Sequence, residues 1–220
     1  MKSDSKEGGK SFCSSVALLA YRWIGSEAVR SRLRKLIARL EGGPAFSLTV
    51  REILRDFHHV DVGLYTAGPC TMKPGFFHPG TSIGRYSFIA GTVRTFTRNH
   101  PMNTKSTHGL FYNSALGKVK AGPLQFNRLI IGNGVRIEHN AIIVPATERI
   151  GDGAVITAGS VVCTNVPPYA IASGFPARVV GYRLRQEIIQ ELLISRWWER
   201  SLPELVADNG SFRPSMGGLG

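Results

Sequence analysis

Cysteine is scarce: Cys13, Cys70 and Cys163 are the only three in 220 residues. An odd number at wide spacings gives neither a zinc-ligand pattern nor a disulfide framework. A reducing cytoplasm is the expected location. Acidic residues are also few, 15 against 27 Lys and Arg, and the net charge is +12. Long apolar runs are missing, and mean hydropathy is −0.02. No stretch approaches the roughly 20 residues of a membrane span. Residues 12–19 come after a basic residue, but the apolar part is short and Arg22 interrupts its continuation, so they read as a helix face. The positive surplus allows nucleic acid, a membrane surface or polyanionic small molecules as partners. The cations are spread along the chain, with one dense patch between Arg30 and Arg39. No RNA-binding aromatic motif or recognition-helix signature accompanies them, so no nucleic acid is expected.

The feature that is present is a rhythm. Within residues 129–166, Ile131, Ile137 and Ile143 fall six apart, and after one extra residue Ile150, Ile156 and Val162 do the same. Four residues after each stand Val135, Ala141, Thr147, Ala154, Ser160 and Val166, all small or β-branched. Six is neither the helical period nor the alternation of a single strand. It is the period of a short-coil β-solenoid, with three hexads to a triangular turn. The aliphatic residue points inward and stacks on its copy in the next turn. Gly132 and Gly151, directly after it, are expected to supply backbone freedom at the bend. A weaker copy runs through Phe77, Ile83, Ile89 and Thr95, with Thr81, Ser87 and Val93 at the small positions.

The chain divides into three segments. Residues 1–59 form an N-terminal helical segment with a disordered start at residues 1–10. Helical spacing links Val16, Leu19, Ala20 and Trp23, then Val29, Leu33, Leu36, Ile37 and Leu40. Their apolar side packs on the main domain; a basic amphipathic helix touching anionic lipid is the other reading. Residues 50–58 make a further short helix and residues 60–65 a strand. Residues 60–182 are the solenoid, with an excursion loop at residues 97–129 and a closing strand at residues 177–182. A loop of that length inside a repeat array is usually functional. Residues 183–220 hold a capping helix over residues 186–198 and a mobile tail after Pro203. The helix would cover the exposed solenoid edge.

The hexads, the exit VPPYAIASGFPARVV and the Trp197-Trp198 pair come in an order that resembles the hexapeptide-repeat acyltransferases. Xenobiotic acetyltransferases and polysaccharide O-acetyltransferases are the similar branches. The resemblance covers about residues 60–203. It implies a left-handed parallel β-helix and a homotrimer with active sites between subunits. It also implies acetyl transfer from acetyl-CoA, as co-substrate without a metal, to a small-molecule or glycan acceptor.

Residue by residue, the resemblance assigns the general base to His100, in the Asn-His-Pro at the root of the excursion loop. Histidine titrates near neutrality, which suits removal of a hydroxyl proton. Asn99 would orient it or the substrate. His108, Tyr86, Phe111 and Tyr112 are acceptor-site candidates; packing of the loop on the coil accounts equally for the aromatics. Backbone N–H groups at Ala158 and Ser173 would face the pantetheine arm, with Gly159 and Gly174 allowing close approach. Arg178 matches the family's phosphate-binding cation and Arg183 is a second candidate. His139 reads as structural.

Four positions depart from the family pattern. Arg136 stands for a usual tryptophan, Glu138 and Thr157 for glycines, and Phe175 for an asparagine. The extra residue in ATERIG favours the polysaccharide-linked branch. The expected function is therefore O-acetylation of a sugar or glycan precursor, with antibiotic acetylation as the alternative acceptor. A non-catalytic scaffold and a zinc-dependent carbonic anhydrase-like protein are the readings from other classes. The expected location is cytoplasmic, with peripheral contact at a membrane as an option.

Overall fold

The structure is a computed structural model and describes residues 14–99, 101–116, 119–120 and 126–208. Three helices come first: α1 (Ser14–Trp23), α2 (Glu27–Leu40) and α3 (Leu48–His58). Ten two-residue strands come next: β1 (Asp61–Val62), β2 (Ser82–Ile83), β3 (Phe88–Ile89), β4 (Arg94–Thr95), β5 (Ile130–Ile131), β6 (Arg136–Ile137), β7 (Ile142–Ile143), β8 (Arg149–Ile150), β9 (Val155–Ile156) and β10 (Val161–Val162). Longer strands β11 (Ala170–Gly174) and β12 (Ala177–Tyr182), then helices α4 (Gln186–Ser195) and α5 (Leu202–Ala207), complete the order.

The short strands build three parallel sheets that wind as coils. The first sheet runs β1-β2-β5-β8, the second β3-β6-β9-β11-β12 and the third β4-β7-β10. The register places the hexad residues on one another: Val62, Ile83, Ile131 and Ile150 in the first sheet, Ile89, Ile137, Ile156 and Ala172 in the second, Thr95, Ile143 and Val162 in the third. All are buried. Each inward aliphatic side chain contributes about 1.5–3 kcal/mol of transfer free energy. The six-residue rhythm is thus the physical column of the core. Among the described strands only β12 runs antiparallel, closing the second sheet against β11.

The expected backbone freedom at Gly132 is not what the fold uses. Its φ is not positive; a Cβ there would meet Asp152 N of the next coil at 2.7 Å. Close approach of stacked coils demands the glycine. Positive φ falls two residues later instead, at Tyr65, Tyr86, Gly134, Gly153 and Tyr169, one per coil. This edge between the first and second sheets carries a column of rings. Tyr65 stacks on Tyr86 at 4.8 Å, and Tyr86 meets Trp197 at 5.4 Å. Trp197 lies over Gly134 and Tyr169 over Gly153, where a Cβ would strike the rings at 3.0 and 2.5 Å. Trp197 Nε1 donates to Tyr169 Oη at 3.1 Å.

Two further expectations are corrected. The helix expected through residue 198 stops at Ser195. Arg196 takes a left-handed conformation (φ 44°), and Trp197–Glu199 is a 3-10 turn that lowers Trp197 onto the ring column. Most of the tail expected to be mobile, beyond Asp208, lies outside the described residues, but its start is α5. Ser201 and Glu204 form its capping box and Leu205 is buried. The expectation of disorder at residues 1–10 lies outside the described residues.

At the other end α3 seals the first coil. Glu41 is buried and accepts from Ser47 Oγ (2.6 Å), Thr49 N (3.0 Å) and Thr49 Oγ1 (2.5 Å), fixing the start of α3. Buried Arg51 donates to five carbonyls, those of Pro44, Ala45, Ser47, Gly63 and Thr66, at 2.7–3.2 Å. One guanidinium thereby joins the helix cap to the first coil.

Candidate active site

The excursion leaves after β4, at the edge between the third and first sheets. Its ends are clamped: Asn127 N donates to Thr97 O at 2.7 Å, and Asn127 Nδ2 to Pro145 O at 2.7 Å. Arg98 covers the Phe126 ring at 5.3 Å, and Phe126 meets His78 at 4.9 Å. Burial, then the charge of Arg98, pushes the His78 pKa below its ordinary value. His100 lies outside the described residues. Its neighbour Asn99 is exposed at the clamped root.

Beyond the root the loop is organised by its own polar groups. Thr104 Oγ1 lies 2.9 Å from Ser106 O, and Ser106 Oγ accepts from His108 N at 3.2 Å. His108 caps a 3-10 turn at Gly109–Phe111, its Nδ1 accepting from Leu110 N at 3.3 Å. That bond assigns the proton to Nε2 in the neutral ring. Phe111 stands edge-on to His108 at 6.5 Å and is exposed, and Tyr112 is half-buried. Asn99, His108, Phe111 and Tyr112 thus share one loop. Tyr86 does not join them. It sits in the ring column at the edge between the first and second sheets, its hydroxyl donating to Arg200 O at 3.3 Å.

The cofactor candidates gather on a third edge, between the second and third sheets. Ala158 and Gly159 form an exposed turn there, with Gly159 at φ 70° and nothing within 4 Å of its missing Cβ. Gly159 N donates to His139 O at 2.9 Å, whereas Ala158 N–H has no partner among the described residues. Beside the turn runs a chain of hydroxyls. Thr157 Oγ1 donates to Ser173 Oγ at 2.8 Å, so the 2.8 Å contact with Ser160 has Ser160 as donor. Gly174 N donates to Ser160 Oγ at 3.2 Å. This chain explains Thr157 in place of glycine. Sequence reading missed its partner Ser160, whose only signal was a hydroxyl at a small-residue corner.

Arg178 pairs in register with Ser173 and is exposed, beside that chain. Arg183 is elsewhere. Its Nη1 donates to Gly153 O at 2.8 Å and its guanidinium lies over the Tyr169 ring at 5.5 Å, so it braces the ring column. The structure therefore brings Ala158, Gly159, Ser173, Gly174 and Arg178 together and separates Arg183 from them. Phe175 is exposed and nothing in the structure explains it; the two remaining departures satisfy one another. Arg136 is ion-paired with Glu138 and lies 4.7 Å over the Phe88 ring, on the outer face of the second sheet. His139 Nδ1 is 3.0 Å from Thr92 Oγ1, which fits its structural reading. Among the described residues no group of three His, Cys, Asp or Glu could hold a metal ion. No helix among them is long and apolar enough to cross a membrane.

No family model matches the chain. It is 42% identical over 168 residues to a chloramphenicol acetyltransferase of Klebsiella aerogenes, covering 75% of this chain and 72% of that one. It is 35% identical over 144 residues to a probable macrolide acetyltransferase of Lysinibacillus sphaericus, covering 62% of this chain and 78% of that one. A solved hexapeptide-repeat acetyltransferase of Vibrio cholerae O1 biovar eltor, complexed with acetyl coenzyme A, aligns with a TM-score of 0.44 at 18% identity, over 78% of this chain and 86% of that one.

Proposed function

Since the chain belongs to the hexapeptide-repeat acetyltransferases and is an acetyl-CoA-dependent enzyme, we propose that it acetylates a hydroxyl of a sugar or glycan precursor. His100 is the general base in this reading. It takes the proton as the acceptor oxygen attacks the thioester carbonyl. A backbone N–H holds the oxyanion. The new C–O bond forms, the C–S bond breaks, and the proton passes from the imidazole to the departing thiolate. Transfer is direct, without an acyl-enzyme.

The cofactor lies along the edge between the second and third sheets. The observation that carries this is the exposed Ala158–Gly159 turn: the Ala158 N–H has no partner among the described residues, and a hydroxyl chain stands next to it. With Thr157 donating to it, Ser173 keeps its own proton for a carbonyl of the pantetheine arm. Arg178 supplies the cation for a coenzyme phosphate. Arg183 is left out because Gly153 and Tyr169 already engage it. The loop root and this turn occupy different edges of one coil stack, an arrangement suited to a site completed by a neighbouring copy. That supports a homotrimer with shared sites.

The acceptor reading rests on the loop, whose side chains from Asn99 to Tyr112 offer many hydrogen-bonding groups and an exposed ring, a surface suited to a polyhydroxylated ring. Asn99, His108, Phe111 and Tyr112 are its acceptor-site residues. Tyr86 is better accounted for by the ring column. The second reading, an antibiotic hydroxyl, is favoured by the names of the two relatives described above. Thiol release from acetyl-CoA with sugars, nucleotide sugars, chloramphenicol and a macrolide separates the two. A response to the antibiotics alone removes the sugar reading. Acetyl-CoA binding without release under any acceptor favours the scaffold. His100→Ala is expected to lower kcat about 10²–10⁴-fold; unchanged turnover would mean another base.

A further inference from the structure

Helix α1 has more apolar surface than it buries. Ala17 and Tyr21 pack into the core, with Tyr21 Oη accepting from Arg34 Nη1 at 2.5 Å. The adjoining sector, Val16, Leu19 and Trp23, stands in solvent at 68, 67 and 84% exposure. Helix α2 repeats this with Leu36 at 54% and Leu40 at 60%. The spacing i, i+3, i+7 on α1 makes a continuous stripe, so these are not scattered surface residues.

Charge identifies the occupant. Arg22, Arg32, Lys35 and Arg39 are exposed on the same two helices. The acidic side chains of residues 14–44 offer them no counter-charge: Glu27 is paired with Arg34 at 2.7 Å, and Glu41 is buried at the start of α3. Lys35 and Arg39 also line a cavity of about 220 Å³ with Ser31, Arg34 and Thr71. A protein partner for so apolar a stripe would not require this one-sided field. An anionic bilayer provides both halves: acyl chains for Leu19 and Trp23, and headgroup phosphates for the cations and the recess they border. Tryptophan suits the boundary, with an apolar body and an N–H donor.

We propose that α1 and α2 form a docking surface for the anionic face of a membrane, with Val16, Leu19, Trp23, Leu36 and Leu40 entering the interface. This surface is remote in sequence from the transferase chemistry, and its test does not depend on that reading.

The test is flotation of the full chain with vesicles of phosphatidylcholine alone and of phosphatidylcholine mixed with phosphatidylglycerol. Binding is expected with the mixed vesicles only, weakening as salt is added. Arg32→Ser and Lys35→Ser should each weaken it roughly fivefold. Leu19→Ser with Trp23→Ser should weaken it roughly tenfold or more, while thermal melting is retained. Absence of flotation with anionic vesicles at low salt overturns the proposal, as does equal binding to both vesicle types. A fall in sedimentation mass on Leu19→Ser/Trp23→Ser, without vesicle binding by the unaltered chain, would assign the stripe to a second copy instead.

Discussion

At the scale of single residues, the fold turns on what glycine does not carry. Gly153 has φ 67°, and a Cβ there would lie 2.5 Å from the Tyr169 ring. Gly159 has almost the same backbone, φ 70°, with open space around it. The two positions therefore separate backbone strain from ring collision. Gly159→Ala should cost about 1 kcal/mol through its left-handed conformation alone. Gly153→Ala should cost about 1–3 kcal/mol more, because Tyr169 must move and loosen its bond with Trp197. Urea unfolding of the two variants measures the difference, and equal losses would show that the ring column gives way freely. Tyrosines at the matching positions 65, 86 and 169 tolerate positive φ because their rings are the column itself.

At the scale of elements, legibility followed locality. The coils were readable because each inward residue repeats six positions on, and the strand register places those residues over one another. Arg51 was not readable, since its five carbonyl acceptors come from residues 44–66 and no motif announces them. Arg51→Met should destabilise the chain by about 3 kcal/mol or more, because five carbonyls lose a charged donor. Arg51→Lys should recover only part, lacking the planar fork. Equilibrium denaturation checks both; a loss below about 1 kcal/mol would mean that those carbonyls find other donors. Helix α5 was legible and was overlooked: Ser201 and Glu204 spell its capping box. The break at Arg196 was not, because only the ring column explains why Trp197 turns inward. In the candidate site, the Ala158–Gly159 turn could be read from the rhythm. The place of Arg183 could not, since Gly153 and Tyr169 meet it only through the fold.

At the scale of the whole molecule, the loop root and the Ala158–Gly159 turn lie on different edges of one chain, so shared sites make a sharp prediction. Neither His100→Ala nor Ala158→Trp subunits should turn over alone. Co-assembled in equal amounts, they should regain roughly a quarter of wild-type activity, the share of heterologous interfaces pairing two intact halves. Mixtures that stay inactive would place each site within one chain. A second consequence belongs to the ring column. A stack of coils has no inherent length, because each coil needs only its neighbours. Here Trp197 reaches Tyr86 and Gly134 on earlier coils while bonding to Tyr169 after the last full one. One more coil would part these contacts by about 4.8 Å. The C-terminal turn therefore serves as a ruler: the chain counts its own coils and closes only when the number is right.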